Sequence, residues 1–138
     1  MKKVISIALL MIAFNCSNNP ANFIEHLNGY WEIEEVTLPD GSTREYTFNG
    51  TIDFLHINDS LTGYRKKLKP SFDGSFSTSD DQETLKVMIE NDSLNMYYKT
   101  PYAEWKETVL KATEKVLIIE NQHKIRYTYK RYEPIVIE

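Results

Sequence analysis

Leu27-Asn28-Gly29-Tyr30-Trp31-Glu32-Ile33 is the stretch at which this chain changes its period. Before it, Pro20 to Leu27 reads as one short helix. Asn19 is its cap, Pro20 takes the first helical position, and Gly29 helps to end it. After it, apolar residues recur at every second position. Ile52, Phe54 and His56 alternate with Asp53 and Leu55, and Leu85, Val87 and Ile89 alternate with Lys86, Met88 and Glu90. Leu94, Met96 and Tyr98 continue the pattern, and Ile125, Tyr127 and Tyr129 alternate with Arg126, Thr128 and Lys130. Such alternation, rich in β-branched and aromatic residues, predicts half-buried antiparallel strands.

Turn residues cut these strands at short intervals: Pro39-Asp40-Gly41, Asn49-Gly50, Asn58-Asp59, Asp73-Gly74, Asn91-Asp92, Thr100-Pro101 and Asn121-Gln122. Asn, Asp and Gly tolerate the positive φ angles that tight hairpins require. No long helical pattern supplies the crossover that parallel strands need. The expected fold class is therefore all-β, an up-and-down antiparallel β-barrel of about 8–10 strands with a short N-terminal helix. The segment Leu68 to Gln82, with Pro70, Gly74 and adjacent aspartates, is the least strand-like and is expected to form an irregular rim or lid. Asn58-Asp59-Ser60-Leu61 recurs as Asn91-Asp92-Ser93-Leu94, which reads as shared turn chemistry rather than duplication.

Outward from the barrel, the N-terminus has its own logic. Lys2 and Lys3 precede an apolar run from Val4 to Phe14, and Cys16, the single cysteine, follows at once. The run is shorter than the roughly 20 residues of a permanent membrane span. The order basic, apolar, Cys, polar linker is that of a bacterial lipoprotein signal peptide, although Ala13 and Asn15 depart from the usual residues before the lipidated cysteine. The chain divides accordingly into 1–15, signal peptide, 16–22, tether, and 23–138, one barrel domain. Lipid on Cys16 implies a cell-envelope protein, anchored to the outer membrane on its periplasmic or surface face.

Without Lys2 and Lys3 the body carries 14 basic against 20 acidic residues. That balance speaks against nucleic acid as a partner, since its recognition needs concentrated positive charge. It also leaves membrane attachment to the lipid on Cys16.

Gly29-Tyr30-Trp31 opens the first strand, and Arg126-Tyr127-Thr128-Tyr129-Lys130-Arg131-Tyr132 forms the last. This resembles the lipocalin pattern, and more narrowly the lipocalin-like lipoproteins of Gram-negative bacteria. Their Leu-x-Gly-x-Trp and Pro-Asp-Gly turn correspond to Leu27-Asn28-Gly29-Tyr30-Trp31 and Pro39-Asp40-Gly41. The resemblance implies that Gly29 and Trp31, with Arg126 or Arg131 stacked on the indole, close one end of the barrel. It also implies a small apolar or amphipathic ligand inside.

Phe54, Met96, Tyr98, Tyr102, Trp105 and Tyr127 are the candidates for ligand contact, because large amphipathic rings suit a ligand mouth. Access is expected opposite Trp31. No catalytic residue is expected: no serine lies in a nucleophile elbow, and nothing singles out two carboxylates as a pair. His26, His56 and His123 are scattered without metal-ligand spacing, so neither metal nor cofactor is expected. The alternative function is an interaction module that docks an envelope protein, its barrel filled by its own side chains.

Overall fold

The computed structural model describes residues 19–47, 49–78 and 81–134; Cys16 and its lipidation lie outside them. A 3-10 helix, Pro20–His26, leads into the barrel, and the Asn19 side chain caps it by accepting from the Ala21 amide. Ten strands follow: β1 Gly29–Thr37, β2 Thr43–Glu45, β3 Ile52–Ile57, β4 Thr62–Pro70, β5 Phe76–Thr78, β6 Glu83–Glu90, β7 Ser93–Lys99, β8 Glu104–Ala112, β9 Val116–Asn121 and β10 Arg126–Arg131.

Eight of them close the barrel in the order β1-β3-β4-β6-β7-β8-β9-β10, with β10 returning to β1, and every pairing is antiparallel. β2 and β5 are short side strands on β1 and β4. The all-β up-and-down barrel expected from the alternation is the fold observed.

The turns follow their residues. Asn91 and Asp92 both have positive φ, 48° and 63°, which makes the β6–β7 connection a two-residue type I′ hairpin. In the matching tetrapeptide the left-handed residue is Leu61 instead, and the Asn58 side chain accepts from the amides of Ser60 and Thr62. One tetrapeptide thus makes two different turns. Gly63 has a separate task. A Cβ there would sit 1.8 Å from the His56 carbonyl oxygen, so β3 and β4 approach closely only because that side chain is missing.

Two cores result. The inner one fills the barrel with Leu55, Leu85, Leu94, Met96, Leu117 and Ile119, and Phe23 and Leu27 of the helical lead seal one end. The outer one is aromatic. Tyr30, Phe54 and Tyr64 face outward on β1, β3 and β4, and Phe76 of β5 stacks on Tyr30 at 5.2 Å and meets Tyr132 edge-on at 6.0 Å. Ile52 and Leu68 are buried on this same face.

Two expectations are corrected here. Leu68–Gln82 is no lid, because its described part turns back as the β4–β5 hairpin and is held against the outer wall by Phe76. Phe54 lies outside the barrel, because Asp53 and Leu55 take the inward positions of β3.

Candidate functional site

The closed end is built around Trp31, which is fully buried and donates its indole N–H to the Leu27 carbonyl at 2.9 Å. Arg131, its direct partner across β1 and β10, lies 3.7 Å from the ring centroid. The same guanidinium donates to the carbonyls of His26, Asn28 and Glu114. Gly29, at φ +128°, leaves room for it, since a Cβ there would come within 2.5 Å of Arg131 Nη1. Of the two arginines the resemblance offered, Arg131 performs the closure. Arg126 is the one to correct: it stands five residues earlier, hence on the opposite face, where it is exposed and pairs with Glu120 at 3.2 Å.

Towards the middle the interior turns polar. Arg65 reaches in from β4, its guanidinium 4.4 Å from the centre of the Tyr98 ring. It donates to Glu83 at 2.6 Å and to Glu107 at 3.0 Å. Burial works against its charge, but the neighbouring Tyr98, Glu107, Asp53 and Glu83 more than offset that and hold Arg65 protonated.

Asp53 pairs with Lys67 at 2.5 Å, and the Tyr129 phenol donates to the same carboxylate. Two cations therefore meet three carboxylates. Glu107 carries the imbalance, and burial, only partly countered by Arg65, raises its pKa above the usual glutamate value. Burial likewise pushes the Tyr98 and Tyr129 phenols well up, so both stay neutral.

These side chains leave almost no lumen. The space among Trp31, Asp53, Leu55, Arg65, Met96 and their neighbours is about 10 Å³, room for roughly one water molecule. A larger hollow, about 650 Å³, is elsewhere. Thr62, Thr84, Lys86, Tyr97, Lys99, Glu104 and Lys106 line it, and so do Leu85, Tyr98 and Trp105, which alternate with them along β6, β7 and β8. It is a concavity of the outer wall near the open end.

Of the six ligand candidates, Met96 and Tyr98 point into the filled interior, Trp105 stacks on Tyr98 at 5.3 Å, and Tyr98 and Trp105 also border the 650 Å³ hollow. Tyr127 packs on the same core. Tyr102 is 96% exposed at the tip of the β7–β8 connection and lines neither the interior nor the hollow. Sequence reasoning missed Arg65, Asp53 and Glu107. Parity could have found Glu107, which shares its face with Trp105 and Val109, whereas Asp53 and Arg65 oppose the apolar alternation of β3 and β4.

Comparison with known proteins agrees with this architecture. The family described as a lipocalin-like domain matches residues 27–119. Among solved structures, a lipocalin-like protein from Bacteroides uniformis ATCC 8492 is similar at 9% identity and a TM-score of 0.50, over 78% of this chain and 99% of that one. An uncharacterized protein from Bacteroides eggerthii DSM 20697 is similar at 11% identity and a TM-score of 0.49, over 77% of this chain and 99% of that one. At such identities the first likeness speaks for the fold alone. No curated protein matches the chain.

Proposed function

The chain belongs to the lipocalin-like domain family, and from that premise we propose that it is a non-catalytic interaction module of the cell envelope, lipid-anchored through Cys16. One observation carries the choice of module over carrier. Sites for small molecules occupy roughly 300–1,000 Å³, whereas the barrel interior offers about 10 Å³.

The interior is also costly to open. A ligand entering it would have to part Arg65 from Glu83 and Glu107, leaving buried charges unpaired, which costs about 3–5 kcal/mol. The anchor rests on the basic, apolar, Cys order of residues 2–16. The outer wall, with its concavity and its exposed tyrosines, is what such a protein offers to a partner.

Organic-solvent extraction of detergent-free protein, alongside titration with an environment-sensitive fluorescent fatty acid, tests this reading. No stoichiometric lipid and no saturable binding are expected. A co-purifying ligand at one per chain, or saturable uptake of the fatty acid, would overturn it in favour of transport or storage.

A further inference from the structure

We propose that the outer wall near the open end carries a docking groove for an extended, acidic segment of a protein partner. This rests on the interaction-module reading and says which surface serves it. The large hollow shares Lys106 and Gln122 with a second one of about 240 Å³. That one shares Glu120 and Lys124 with a third of about 400 Å³, reaching Leu38 and Pro39 beyond the end of β1. The three are one trough that crosses from β6 to β1. Those five steps between neighbouring strands span about 24 Å at ~4.8 Å each, the length of about seven extended residues at ~3.3 Å.

The trough inverts the charge of the molecule. The whole chain is −4, yet Lys86, Lys99, Lys106, Lys124 and Arg126 line this path against Glu104 and Glu120 only. Both carboxylates are already answered, Glu104 by Lys99 at 3.4 Å and Glu120 by Arg126 at 3.2 Å and Lys124 at 3.7 Å. Lys86 and Lys106 form no close ion pair among the described residues, although Glu90, whose pKa the Tyr97 hydrogen bond lowers, also feels the Lys106 charge, which lowers it further. They stand on either side of Tyr97 in one row across three strands. The Tyr97 hydroxyl donates to Glu90, which fixes the ring between the two cations. At the far end Leu38 is 45% exposed beside Pro39.

This sequence of environments selects its occupant. Two ammonium groups outside any close ion pair, on either side of an aromatic ring, receive carboxylates, and Leu38 receives an apolar side chain. A nucleic acid or an acidic glycan, charged at every unit, would bring negative charge onto Glu104 and Glu120. A peptide places its carboxylates selectively. The contact is smaller than a standard protein interface of about 800 Å² per partner, so the association is transient or part of a larger one.

The test uses the full chain and a fluorescein-labelled heptapeptide with glutamates at its first and third positions and a leucine near its end, followed by anisotropy. Saturable binding is expected that weakens with salt and falls at least tenfold when glutamine replaces the peptide's glutamates. A similar fall is expected in Lys86→Glu with Lys106→Glu, while Lys66→Glu with Lys69→Glu on β4 binds normally. Unchanged thermal melting shows that each variant folds, and Lys86→Gln with Lys106→Gln provides a milder pair.

Absence of saturable binding overturns the proposal, as does binding retained in both Lys86/Lys106 pairs. So does an oligonucleotide or sulfated oligosaccharide that binds through the same lysines as tightly as the peptide. A ligand found inside the barrel would sink the module reading without touching this titration, so the two failures are distinguishable.

Discussion

Trp31 shows how much one residue settles. It is fully buried, hydrogen-bonded to Leu27 and covered by Arg131. Trp31→Ala should lower stability by ~3–5 kcal/mol, read as a shift of the urea midpoint. A near-neutral result would mean that the closed end does not depend on it. Glu107 makes a prediction of opposite character. Its folded pKa is raised, so the native state holds a proton there that the unfolded state has lost. Its contribution is therefore complete below the usual glutamate value of 4.5 and is lost as pH rises through the higher folded value. Glu107→Gln should flatten that decline when urea denaturation is repeated across the window. A slope identical to that of the parent protein would place the titration elsewhere.

Among the elements, strands and tight turns were legible because their rules are local. Asn91-Asp92 announces its hairpin, and the Leu85-Val87 alternation announces an inner face. What the sequence hid was pairing between distant strands. The choice of Arg131 over Arg126 depends on the β1–β10 register and on the irregularity between Ile33 and Glu35. Parity alone could have favoured Arg131, since it shares a face with Tyr127 and Tyr129. Phe54 was misplaced because an apolar ring outcompetes Asp53 for the interior on any hydrophobic count; Lys67, on the neighbouring strand, reverses that.

The β4–β5 hairpin belongs to the same class, being folded onto the wall by aromatic contacts that no local pattern encodes. Phe76→Ala should release it. Amide exchange in residues 68–78 should quicken while the barrel strands keep their protection. Uniform acceleration throughout would show that the hairpin is part of the global unit.

For the whole molecule, the barrel class followed from periodicity, but the lumen volume did not. It depends on whether long side chains such as Arg65 turn inward, which is decided by partners on three other strands. The anchor is the remaining prediction at this scale. Cys16→Ser should move the protein from the membrane fraction to the soluble fraction, since stable retention needs the acyl chains. A variant that stays membrane-bound, with an unmodified thiol in the native protein, would remove the lipid from the proposal.

Arg131 ties β10 to the carbonyls of His26 and Asn28, so the first and last described residues leave the barrel at the same pole. Two residues, Ser17 and Asn18, lie between Cys16 and Asn19 in the chain, and those three steps reach about 10 Å at most. If the proposed lipid on Cys16 tethers it there, the barrel would stand on the bilayer by its sealed pole with its axis pointing away from the lipid. Lys106 is six residues from the Ala112 end of β8, about 20 Å along the strand and roughly 15 Å of height once a tilt of about 40° is allowed for. On that proposal, the row it shares with Lys86 and Tyr97 would be lifted into the aqueous space, and a partner rooted in the same membrane would need a soluble arm of that height to reach it.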